Sequence, residues 1–281
     1  MNRLQHLFTV GLLASALAAS AETLTLSVPS TLTPLARQWA SAYQAKHPGA
    51  TIQVSETAVP AAIDALAQKK SDLVMLPRAL RFKESEACQA ALGQRPAEYK
   101  TAVNAAAVYV HKDNPVKALT YDELFDLFKG QSRDWKPLSG QEGAISVFGA
   151  NTNTTAGELF AEEVLNGKGL SADVRLLSEA ELRQAIAKDT NAIGFGAFAS
   201  SESIRPVGIK RAFSSDPVLP SAAAITSRNY PITRFVFVYV SPAASQGEAK
   251  AFMDWVRSDE GQQLANQTGF WTLPAKWRSN P

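Results

Sequence analysis

From residue 23 to 28 apolar and polar positions alternate, the two-residue period of a strand with one buried face. Leu32, Leu35, Trp39 and Tyr43 then recur at helical spacing until His47-Pro48-Gly49 stops the pattern. A second strand is predicted over 51–54, a helix over about 60–68, and a third strand over 72–75. Pro60 suits a helix start because it has no N–H to leave unsatisfied there. Strands and helices that alternate in this way predict an α/β fold, a sheet covered by helices.

Between 79 and 100 the pattern weakens into charged text, read as a short helix and loops. The run 103–111 is apolar apart from Asn104 and the closing His111, and long enough to pass from one lobe to another. Thr120 with Glu123 forms a capping box for a helix over 121–128, and Ser178 with Glu181 does the same over 178–188. Between them a strand is predicted over 145–148 and a helix over 157–165. Short strands follow at 193–195 and 204–209. The tail returns to the first pattern, with an apolar strand over 235–240 and an amphipathic helix over 246–257 carrying Phe252, Trp255 and Val256. The segments 103–111 and 233–241 are candidate paired crossovers. They would make the first lobe discontinuous, with lobe 1 at 22–105 and 235–281 and lobe 2 at 106–234.

The N-terminus changes the picture. Asn2 and Arg3 precede an apolar run over 7–18, and Ala19-Ser20-Ala21 has the small-x-small pattern of a signal peptidase site, with cleavage expected before Glu22. A run of that length cannot anchor stably across a bilayer, where a spanning helix needs about 20 apolar residues. The segment 1–21 is thus read as a signal peptide and the location as the periplasm. The formal net charge is only +2, which gives no reason to expect nucleic acid or an anionic membrane as partner. Cys88 is the single cysteine, so no internal disulfide can form and stability must come from a packed core.

Several stretches together resemble the periplasmic phosphate-binding proteins of ABC transporters, which have the type II solute-binding fold. Ser30-Thr31 with Pro34-Leu35-Ala36 and Trp39 resembles that family's first loop and helix. Lys112-Asp113-Asn114-Pro115-Val116 resembles its crossover continuation, and Asn191-Ala192-Ile193-Gly194-Phe195 one of its strands. Tyr230-Pro231 with Arg234, and Glu260-Gly261-Gln262 with Gly269-Phe270, match its closing segments. Each match is weak alone, but they occur in order across nearly the whole chain. The resemblance implies two α/β lobes joined by two crossovers and closing on a ligand.

Helix N-termini at such a cleft present unpaired N–H groups and a partial positive charge, which suits an oxyanion. Ser30, Thr31, Asn151, Thr152, Thr154 and Thr155 are therefore the candidate ligand contacts, with Arg78 as a charge supplied from the opposite lobe. The second-lobe loop departs from the family's pattern. Ala150 stands where the family carries a phosphate-binding arginine, Thr154 replaces a serine, Thr155 a glycine and Ala156 a threonine. Losing a bidentate arginine costs about 1.5–3 kcal/mol of charge-assisted bonding.

No metal-ligand spacing, nucleophile elbow, Walker loop or dinucleotide fingerprint occurs. His47 reads as a helix-end residue, His111 as structural, Cys88 as an inert thiol. The expectation is a non-enzymatic, monomeric receptor without cofactor. It would carry a small anionic or polar solute, a phosphate-like oxyanion foremost, to an ABC permease. The alternative is the same fold used for sensing, with an altered pocket and an envelope protein as partner.

Overall fold

The computed structural model describes residues 22–139, 142–199 and 201–278; the expected signal peptide lies outside the described residues. The chain begins with β1 (Glu22–Val28), a 3-10 turn (Ser30–Leu32), α1 (Thr33–Lys46), β2 (Ala50–Glu56), α2 (Val59–Ala67), β3 (Leu73–Leu76), α3 (Phe82–Leu92) and β4 (Ala97–Ala105). It continues through β5 (Ala107–His111), β6 (Ala118–Thr120), α4 (Tyr121–Phe128), α5 (Lys136–Ser139), β7 (Ser146–Ala150) and α6 (Thr155–Glu163). Then come β8 (Arg175–Leu177), α7 (Glu179–Lys188), β9 (Ala192–Gly196), β10 (Ile204–Pro206), β11 (Gly208–Lys210) and α8 (Ala222–Thr226). The described chain closes with β12 (Thr233–Val240), α9 (Gly247–Val256) and α10 (Asp259–Gln267).

Two mixed five-stranded sheets result, in the orders β2-β1-β3-β12-β4 and β10-β5-β9-β7-β8, with β11 and β6 as a separate parallel pair. In the first sheet β1 runs parallel to β2 and β3, while β12 is antiparallel to β3 and β4. This is a two-lobed α/β architecture, one lobe around each sheet. Both expected capping boxes form, at Thr120–Glu123 and Ser178–Glu181.

Two expectations are corrected. The apolar run at 103–111 is not one strand: the chain leaves the first sheet after Ala105 and joins the second at Ala107. The return passage precedes β12, which lies wholly in the first sheet, and the two passages meet where the Ala106 N–H donates to the Ile232 carbonyl at 3.2 Å. The short helix expected after residue 79 is the eleven-residue α3. Its only buried residue is Cys88, so an exposed helix left no apolar period to read.

One apolar cluster fills the space between the first sheet and α1, α9 and α10, around Trp39, Tyr43 and Phe252. Trp39 donates from Nε1 to the Gly261 carbonyl at 2.7 Å. A second cluster runs from Val74 and Leu76 through Val103–Val110 into the other lobe, where Phe160 and Phe195 stack at 3.9 Å. The passage between lobes is therefore packed core and not an exposed linker.

The corner after β3 is held by an ion pair. Arg78 Nη1 and Nη2 donate to the two Glu84 oxygens, each at 2.8 Å. The guanidinium bond holds the Glu84 carboxyl below its usual range. A carboxyl depressed on folding stabilises above its unfolded pKa, and that contribution disappears as pH falls through the folded one. Glu84→Gln should therefore cost about 1–2 kcal/mol at neutral pH and less once the pH falls below the ordinary carboxylate range, read from urea unfolding at neutral and at acid pH. An equal loss at both pH values would mean that packing, not charge, holds the corner.

Candidate functional site

The two lobes meet where the Ser30–Leu32 turn lies against α6. Pro29 ends β1 in extended backbone, and its carbonyl accepts from the Leu32 and Thr33 N–H groups, which turns the chain into α1. On the other side Thr154 caps α6: its Oγ1 accepts from the Gly157 N–H at 3.1 Å and donates to the Asn151 carbonyl at 2.7 Å. A Cβ on Gly157 would lie 2.2 Å from that carbonyl oxygen, so only glycine lets the 151–154 loop fold over the helix start. Asn104, at the end of β4, donates from Nδ2 to the Thr155 carbonyl at 2.9 Å and ties the two sides together.

The predicted residues divide. Thr31 is half-buried and its Oγ1 is wholly buried without a hydrogen-bond partner, while Ser30 beside it is exposed. Thr155 is the first residue of α6; its N–H and that of Ala156 belong to the turn that has no intrahelical acceptors. The turn that carries Thr31 lies against α6. Asn151 and Thr152 stand exposed in the loop before the helix, and the Thr154 hydroxyl is used by the cap. Arg78 is not free: Glu84 takes both of its terminal nitrogens, and Nη1 also donates to the Ala79 carbonyl. Ala150 is fully buried at the end of β7.

A charged group unnoticed as part of the site lies beside it. Arg234, at the start of β12, is only 5% exposed and reaches across to α6. Its Nη1 donates to Glu162, and Nη2 lies 3.5 Å from Glu158 Oε1, an ionic contact too long for good hydrogen bonding. Nε and Nη2 accordingly lack hydrogen-bond partners. Arg234 is paired in register with Asn104, so strand register places both cross-lobe contacts side by side. Three carboxylates (Glu84, Glu158, Glu162) thus face two guanidiniums here. Sequence spacing cannot show this, since the partners lie 72 positions apart. The arrangement offers neutral donors and helix-end charge to a ligand. It contains no uncommitted arginine among the described residues named above.

The profile of the PBP superfamily domain matches residues 13–260. The phosphate-binding protein PstS of Pseudomonas aeruginosa is 28% identical over 264 residues, covering 88% of this chain and 81% of that protein. Protein SphX of Synechococcus elongatus is 26% identical over 260 residues, covering 88% and 76%. Among solved structures, a possible phosphate binding protein from Planctomyces limnophilus superposes with a TM-score of 0.80 at 22% identity, over 92% of this chain and 95% of that one. That last likeness carries the fold.

Proposed function

Because this chain belongs to the PBP superfamily, we propose that it is an exported receptor that captures a phosphate-like oxyanion between its lobes for delivery to an ABC permease. The observation that carries the reading is the buried and partnerless hydroxyl of Thr31 in the turn that lies against α6. Ser30, Thr31 and the Thr155 and Ala156 N–H groups are the ligand donors; Asn151 and Thr152 cover the ligand from the loop. Lobe 1 comprises 22–105 and 233–281 and lobe 2 comprises 106–232, two residues from the expected boundary because β12 lies wholly in the first sheet. The ligand favours the closed arrangement, in which both sets of donors reach it, and shifts the population toward it. No bond is made or broken, so the protein is a binder and not an enzyme, working in the periplasm. The sensing alternative finds no support in the PstS relatives, which are named phosphate-binding proteins.

The arrangement favours an anion of low charge that can also accept from hydroxyls, because Glu158 and Glu162 stand close to the site. Calorimetric titration of ligand-stripped protein with phosphate and with sulfate tests this. Phosphate should bind in the micromolar range, and Thr31→Val should weaken it about tenfold, one hydrogen bond's worth. A wild-type protein that gives no heat and no thermal shift with phosphate would remove the phosphate reading.

A further inference from the structure

The large apolar side chains exposed among the described residues are Phe82, Leu176, Phe213 and Leu219, and the last two belong to one short stretch of chain. Phe213 lies within the loop 210–217, which is closed at its base by two backbone bonds between Ile209 and Val218, at 2.9 and 3.0 Å, and Leu219 directly follows the closing pair. Its tip is a built turn. The Ala212 N–H donates to Ser215 Oγ, which donates back to the Ala212 carbonyl at 2.8 Å, and Phe213 stands at the tip 85% exposed. Pro217 and Pro220 bracket Leu219 at the base and restrict the backbone there.

Beside the loop lies an open depression of about 830 Å³ lined by Arg211, Arg228, Ser221, Ser227, Asn229 and Val218. Arg228 has a left-handed backbone, φ 62°, and stacks its guanidinium 4.5 Å from the Phe235 ring centroid, with Nη2 donating to the Thr233 carbonyl. That anchoring leaves a cation held in place at the edge of the depression. Lys210 Nζ lies 5.8 Å from the Phe213 ring. Across 208–229 three cationic side chains, Lys210, Arg211 and Arg228, face one carboxylate, Asp216. This short stretch carries a net charge equal to the formal +2 of the whole sequence. On the far side, Glu163 is the acid whose charge reaches Arg228.

Exposed apolar tips flanked by fixed cations and a hydroxyl-lined depression fit one kind of partner. We propose that lobe 2 docks on an anionic lipid bilayer through this loop. Phe213 and Leu219 enter the interfacial layer, and Arg211 and Arg228 take headgroup phosphates in the depression. A near-neutral total conceals this local cationic patch. A few basic residues and two apolar side chains give reversible attachment, far weaker than a spanning helix. Attachment of that strength would keep the receptor near the membrane while its cleft stays free. Solute capture is not required for it, so the docking stands independently of the ligand reading.

Vesicle co-flotation of the exported form tests this, with vesicles of neutral phospholipid alone and with about a quarter anionic phospholipid. The protein should float with the anionic vesicles at low salt, not with the neutral ones. Phe213→Ser with Leu219→Ser should reduce binding at least tenfold, and Arg211→Gln about fivefold, the effect of one charge. All three side chains are exposed, and unchanged circular dichroism checks that the variants fold. Absence of binding to anionic vesicles overturns the proposal, as does binding that the Phe213/Leu219 pair does not alter. Displacement from the vesicles by millimolar phosphate at constant ionic strength would assign a soluble-anion pocket instead and overturn it as well.

Discussion

Arg234→Met should lower the unfolding free energy by about 3 kcal/mol at neutral pH. The guanidinium is nearly buried, and its removal leaves Glu158 and Glu162 facing each other beside α6 without a counter-charge. Breaking a buried pair by deleting one partner costs about 3–5 kcal/mol, because a desolvated charge is stranded. The lower end applies here, since the Glu162 side chain keeps 38% of its exposure and water can still reach it. Adding Glu158→Gln and Glu162→Gln to Arg234→Met should recover most of the loss. Methionine matches the arginine stem, and nothing charged is then left stranded. Urea unfolding of the wild type, the single variant and the triple variant gives the comparison. A single-variant loss under about 1 kcal/mol would show that the group is solvated and contributes no more than an ordinary surface pair. The ion pair joins β12 to α6, so solution scattering of Arg234→Met should also show a larger radius of gyration if the pair holds the lobes together.

The second large effect is at Gly157. In Gly157→Ala the added carbon would sit 2.2 Å from the Asn151 carbonyl oxygen and 2.9 Å from Thr152 Cα. Both are backbone atoms, so no side chain can swing away. The carbonyl also accepts from the Thr154 N–H and hydroxyl, and moving it breaks the cap. Two effects oppose each other: alanine is the better helix former by about 1 kcal/mol, while overpacking costs about 1–3 kcal/mol and here falls on backbone. The clash wins. Phosphate affinity should fall at least tenfold, because the Asn151–Thr152 loop and the α6 start move together. Stability should fall by about 2 kcal/mol. A variant that is more stable and binds phosphate normally would show that the loop relaxes freely and does not shape the site.

The site was partly legible. The helix starts at residue 30 and near residue 155 were visible because prolines and hydroxyl residues before an apolar period mark caps, and caps are local chemistry. Thr154 was legible as a polar residue at a helix start but not as one whose hydroxyl the helix itself consumes. Arg78 read as an available charge because Glu84 lies six positions on, across a turn whose shape the spacing does not specify. Arg234 matched a family position yet gave no sign of its partners. Helix α3 was legible only as a short helix without bounds, since it buries one residue and periodicity reports only burial.

What the sequence by itself determined is what depends on near neighbours along the chain. The alternating periods, the caps at Thr120 and Ser178 and the ordered motifs specified two α/β lobes. What only the tertiary structure decided is which groups meet across the lobes. The Asn104–Thr155 bond, the Arg234 reach to Glu158 and Glu162, and the change of sheet at Ala106 beside Ile232 all join residues far apart in the chain. Such pairs are set by strand register and by the packing of one lobe on the other. Those are long-range choices, and no local spacing encodes them.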